Sequence, residues 1–154
     1  MRKVALGCLL MVVAVFGGSS AAQASDQSIR DVVITHGQRQ VKEDARFLKA
    51  MRKLDTKAQK RKAKKAAGRQ AASVKMWRDA LAAEQPETEP IAAGRTKMLK
   101  ALDLYTTGLR RLTQGLNMAI RNGGSSGVTK AKRALKNMKT ASKRVGQAAE
   151  IIIG

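Results

Sequence analysis

The residues with the clearest chemical potential are cations. Lys57, Lys60, Arg61, Lys62, Lys64, Lys65 and Arg69 stand within one tract that reads KAQKRKAKKAAGR. Ammonium and guanidinium groups at this density attract phosphate, sulfate or carboxylate groups. Binding them to a polyanion releases its condensed counterions. The surrounding residues 38–69 hold thirteen Lys and Arg against Glu43, Asp44 and Asp55. A second segment, residues 129–144, holds seven Lys and Arg and no acid. The seven residues of the first tract are the candidate polyanion-binding site.

Covalent and metal chemistry have little to work with. His36 is the only histidine, and no carboxylate–histidine spacing for a metal surrounds it. The single cysteine, Cys8, lies near the N-terminus. Gly123–Gly127 lacks the Gly-x-x-x-x-Gly-Lys-Ser/Thr form of a phosphate loop and reads as a flexible connection. Asp79, Glu84, Glu87 and Glu89 flank a proline turn, where they read as helix caps or local partners of Lys and Arg. Trp77, with Val74 and Leu81, reads as core. No serine elbow is present. The expectation is a non-enzymatic protein with no cofactor and no metal.

Several partners fit a formal net charge of +20. An anionic polymer or an anionic membrane surface is the leading class, with extracellular DNA as one case. The tract resembles the Lys/Ala-rich tails of linker histones in composition only, and lysines there would neutralise phosphates without reading sequence. Phe47, Trp77 and Tyr105 are too scattered for a base-stacking platform. The other class is a structural or coiled-coil module that binds a protein partner or itself, with the charge serving solubility.

Residues 1–24 read as a secretory signal peptide. Arg2 and Lys3 form the charged start, Val4 to Phe16 the apolar run, and Ala22-Gln23-Ala24 a small-x-small cleavage site. The run is shorter than the roughly 20 residues of a membrane-spanning helix. Leu6-Gly7-Cys8 resembles the end of a lipobox, but most of the apolar run follows it, so Cys8 reads as part of the run. The expected location is secreted or periplasmic, in the cell envelope. Loss of Arg2 and Lys3 leaves a mature chain of +18 without cysteine.

The elements that must position the cations read as helices. Few aromatics, two prolines and many Ala, Lys, Arg, Leu and Gln residues disfavour a sheet core. Residues 25–37 read as a short helix or an irregular segment, with Val32 to Thr35 as the extended alternative. Residues 38–84 read as one long basic helix or two in tandem, with Gly68 as the candidate break. Around Lys57–Arg69 only alanines are left for packing, so this part is expected to project into solvent or lie loosely on a bundle. Residues 85–90, QPETEP, form a turn. Residues 91–154 read as an antiparallel helical hairpin with two heptad stripes. The first contains Ile91, Met98, Leu102, Tyr105, Leu109, Leu112, Leu116 and Ala119. The second contains Val128, Ala131, Leu135, Met138, Ser142, Val145, Ala149 and Ile152. The expected fold is all-α: a long basic N-terminal helix packed on a C-terminal hairpin, bundle-like or coiled-coil-like.

Overall fold

A computed structural model describes residues 21–154, with side chains described from Ser25 onward. The charged start and apolar run of the expected leader, with Cys8, lie outside the described residues. The described chain is all-helical, in four helices that pack extensively on one another. They are α1 (Ala21–Met51), α2 (Lys57–Ala83), α3 (Glu89–Asn122) and α4 (Ser125–Ile153).

The break in the N-terminal half falls at residues 52–56, not at Gly68. Its cause is a capping box that starts α2. Thr56 Oγ1 accepts from Gln59 N, while Gln59 Oε1 accepts from the backbone N–H groups of Thr56 and Asp55, both at 3.0 Å. This satisfies N–H groups that a helix start otherwise leaves without partners. Gly68 stays helical because glycine in a helix interior costs only ~1 kcal/mol, less than losing packed turns on both sides. Residues 25–37 are part of α1, and Val32 to Thr35 are helical rather than extended. Burial of Ile29 and Val33 in the core outweighs the weak helix propensity of the β-branched run.

Each helix runs antiparallel to the next in sequence. Gln40 meets Ser73 and Asp44 meets Gln70 between α1 and α2. Between α2 and α3, Gln70 meets Tyr105, and Arg95 donates to the carbonyls of Leu81 and Ala82. Between α3 and α4 the close approaches pair Gly94 with Ile152, Gly108 with Met138, Gly115 with Ala131, and Gly127 with Ala119. Arg30 Nε donates to the Ile152 carbonyl at 3.1 Å, which ties the start of α1 to the end of α4.

The α3 stripe is buried along its whole length. A second seam beside it is made of small residues. Gly94, Ala101, Gly108 and Gly115 recur every seven positions and are all buried. They admit α4 closely, since interaxial distance follows the side chains at the contact. This rotates α4 away from the expected stripe. Its most buried residues are Gly127, Ala131, Ala134, Met138, Ala141, Ala148 and Ile152. Val128, Leu135, Ser142, Val145 and Ala149 stand only half-buried along the flank. Small residues win the centre because the larger aliphatics do not fit between two backbones this close.

The α2–α3 connection is anchored by the start of the expected mature chain. Asp26 accepts from Thr88 Oγ1 at 2.6 Å and from Glu87 N at 3.1 Å. Ser28 Oγ donates to Glu84 Oε2 at 2.8 Å, and Ser25 Oγ donates to the Gln85 carbonyl. Thr88 is the N-cap of α3, so Glu89 and Pro90 belong to its first turn and not to the expected turn at 85–90, because proline is tolerated where its missing N–H has no intrahelical partner to lose. Gly123 ends α3 in the left-handed conformation (φ 67°), which favours glycine.

Candidate polyanion-binding surface

The antiparallel register sorts charge along the bundle. One end carries the C-terminal half of α1, the N-terminal half of α2, the C-terminal half of α3 and the N-terminal half of α4. That end comprises residues 39–70 and 106–139. It holds twenty-one Lys and Arg against only Glu43, Asp44 and Asp55. The opposite end, residues 25–38, 71–105 and 140–154, holds eight basic and eight acidic residues. The two basic segments of the sequence therefore meet at one end, joined by Arg110, Arg111 and Arg121 of α3. The whole excess of +18 in residues 25–154 resides there.

The candidate tract packs more firmly than expected. Ala63, Ala66 and Ala67 are 0%, 4% and 0% exposed, so this part of α2 neither projects into solvent nor lies loosely. Alanine seats well in a core when the neighbours are large, and Phe47, Met51, Leu109 and Leu112 belong to the same cluster. Six of the seven candidate cations, Lys57, Arg61, Lys62, Lys64, Lys65 and Arg69, are exposed on the rest of the helix. Lys60 is the exception at 9% exposed, in line with the alanine face. Beyond α2 the same end exposes Lys42, Lys49, Lys130, Lys132, Arg133 and Lys136.

These cations are free of carboxylates. Among the described residues, ion pairs join Arg46 to Glu43, Lys75 to Asp79, and Arg78 to Asp79 and Asp103. None of the seven candidate residues takes part. Carboxylates thus offset cations mainly at the neutral end. An open groove of about 460 Å³ lies there between α2 and α3, above Ala71 and Ala72. Its polar groups, Lys75, Arg78, Asp79 and Asp103, are already paired with one another, so it offers no convergent donors for a ligand.

A buried polar centre was not read from the sequence. Asp44 accepts hydrogen bonds from Gln70 Nε2, from Gln40 Nε2 at 3.1 Å and from the Tyr105 hydroxyl at 3.2 Å. Gln70 Nε2 also donates to the Tyr105 oxygen, and Ser73 Oγ donates to Gln40 Oε1, both at 3.1 Å. Burial pushes the Asp44 carboxyl up, and its three donors only partly offset this. Burial, reinforced by the Asp44 charge, pushes the Tyr105 phenol up. The signal was present in the heptads: Val33, Gln40, Phe47 and Ala63, Gln70, Trp77 both step by seven with a polar residue in a core slot. The adjoining cavity between Asp44, Trp77, Tyr105 and Ser142 measures about 20 Å³, the size of one water rather than a substrate.

His36 is half-buried and stacks on Trp77, with ring centroids 6.5 Å apart and planes inclined by 11°. Burial, with Arg39 nearby, pushes its imidazole below the usual value, which favours the neutral form. Among the described residues no group of His, Cys, Asp or Glu could hold a metal ion. No helix among them is long and apolar enough to cross a membrane. No protein-family model matches the chain, and neither a curated protein nor a solved structure matches it.

Proposed function

We propose that this is an exported, non-enzymatic protein that binds an anionic polymer of the cell envelope or extracellular space through charge. The observation that carries the reading is the separation of charge: one end of the bundle holds the whole positive excess, on exposed and mostly unpaired side chains. Solubility alone needs no such segregation, since mixed charge spread over the surface serves it equally. In this reading α3 and α4 form the hairpin on which the two basic N-terminal helices are mounted. Cations lie on all four helices at that end, so a flexible chain can wrap it while a flat surface meets one side. Export rests on the sequence of residues 1–24, and a secreted or periplasmic location follows from it.

The test is retention on heparin, DNA and anionic vesicles as salt rises. Affinity should fall steeply between about 50 and 200 mM salt, as several counterions are released. Arg61→Gln, Lys62→Gln, Lys64→Gln and Lys65→Gln together should keep helicity, weaken binding and flatten the salt slope. Equal binding by parent and variant at every salt concentration would remove this reading. Mass spectrometry of the native protein should find an N-terminus at or near Ser25. An intact Met1 in the cytosolic fraction would overturn export.

A protein-interaction module is the second reading. An uncovered apolar stripe on α1 supports it.

A further inference from the structure

Ile34, Val41 and Leu48 are 41%, 42% and 47% exposed on α1. They recur every seven residues, so on a helix they fall within about 40° of one another and run for about 21 Å. The side chains that α1 sends into the core, Ile29, Val33 and Phe47, lie about 100° round the helix. Lys42 and Lys49 are exposed on the stripe's other border, with Asp31 at its N-terminal end, while Arg46 lies farther round the helix and pairs with Glu43.

The stripe opens toward α4. Arg30 lies on the same line of α1 and reaches the Ile152 carbonyl. Beyond that tie α1 packs mainly on α2 and touches α4 little. Ser142 of α4 shares a small cavity with Gln40 and Asp44 of α1, so this flank of α4 faces α1. Lys139 and Lys143 stand exposed beyond it. The result is an apolar line bordered by cations on both helices.

We propose that this line is a docking surface for an amphipathic helix of a partner protein, one whose apolar heptad stripe is flanked by Asp and Glu. The seven-residue recurrence matches the repeat of a helix packed side by side. The lysine borders match acidic flanks and repel a second copy of this chain, whose own borders carry the same sign. A bilayer is the poorer fit. An interfacial helix presents a broad apolar face with Trp or Phe, whereas this line is one residue wide, and the only aromatic carbocycle of α1, Phe47, is buried in the core. The place of the site rests on the three aliphatics and is independent of the polyanion reading, while the acidic flanks of its partner are inferred from cations that the two surfaces share.

The probe is a synthetic three-heptad peptide with Leu and Ile at the core positions and Glu on both flanks. Two controls accompany it: the same peptide with Gln for Leu and Ile, and the same peptide with Lys for Glu. At about 0.15 M salt the full-length protein should bind the acidic apolar peptide and neither control, and part of that binding should persist in about 0.5 M salt, where exposed charge alone is largely screened. Ile34→Gln, Val41→Gln and Leu48→Gln together should weaken that binding about tenfold, as loss of an apolar anchor line does, with circular dichroism and heparin retention unchanged. Val41→Gln alone serves if the triple variant loses helicity, and should weaken binding in the same direction. Unchanged peptide affinity in both variants overturns the proposal. So does a loss of binding to phosphatidylglycerol vesicles without any loss of peptide binding, which gives the stripe to lipid.

Discussion

Gly115 and Gly127 face each other across the α3–α4 interface with no room for a methyl group on either. A Cβ on Gly115 would stand 2.7 Å from the Ala131 nitrogen and 2.9 Å from the Gly127 carbonyl oxygen. A Cβ on Gly127 would meet the backbone of Ala119 and Gly115. Backbone atoms inside two packed helices cannot step aside as a flexible side chain does. Gly115→Ala and Gly127→Ala should each lower stability by about 1–3 kcal/mol through overpacking. Thermal or urea unfolding measures this, and a variant as stable as the parent would show that the helices are farther apart. Gly108→Ala should also destabilise, because its added Cβ would clash with Cγ of the buried Met138, which must change rotamer to make room.

Gly68 gives the opposite result. It is exposed in the helical interior of α2, with nothing within 4 Å of an added Cβ. Gly68→Ala should raise stability by about 0.5–1 kcal/mol, because it reduces the freedom of the unfolded chain without a steric cost. Destabilisation on urea unfolding would mean that α2 bends at this position after all.

Asp44 should make stability depend on pH in a direction unusual for a carboxylate. Burial raises its pKa in the fold, so folding favours the protonated form. Its contribution is fully present below the unfolded value and is lost as pH rises through the folded value. Asp44→Asn keeps an acceptor oxygen and removes the titration. The melting temperature of the variant relative to the parent should therefore be higher at pH 7 than at pH 4. Taking the difference removes the general repulsion of a highly charged chain. A gap that does not move between the two pH values would show that Asp44 is well solvated.

Asp26 should behave in the opposite way. Burial pushes its carboxyl up, but the hydrogen bonds from Thr88 and Glu87, with Arg30 nearby, outweigh that and hold it below the usual value. Its contribution is present above the unfolded value and is lost as pH falls through the folded one. Asp26→Ala removes the acceptor for Thr88 Oγ1 and Glu87 N and should cost about 1 kcal/mol at pH 7. The same change should free the α2–α3 connection, read as faster amide exchange at Glu87. Unchanged exchange there would mean that the turn holds without α1.

Patterns carried by large residues were legible in the chain itself. Met98, Leu102, Leu109, Leu112 and Leu116 mark a buried stripe whatever they pack on, because exposing them to water is costly in any arrangement. A break near Pro86 and the end of α3 near Asn122 were legible for a similar reason, since proline and left-handed glycine act on their own local backbone, although the connection spans residues 84–88 and not the expected 85–90. The start of α2 was readable too, in Thr56-Lys57-Ala58-Gln59, had the capping box been weighed against the isolated Gly68. What only the tertiary structure decided concerns small and polar residues. Ala63, Ala67, Gly115 and Gly127 gain little from burial alone and are buried only because another backbone comes close, so no run of sequence identifies their partners. The same holds for Asp44 with Tyr105, which a core tolerates only once several helices bring hydrogen-bond donors to one point. It holds above all for charge: the sequence contains two basic segments far apart, and the antiparallel register of four helices is what gathers them at one end.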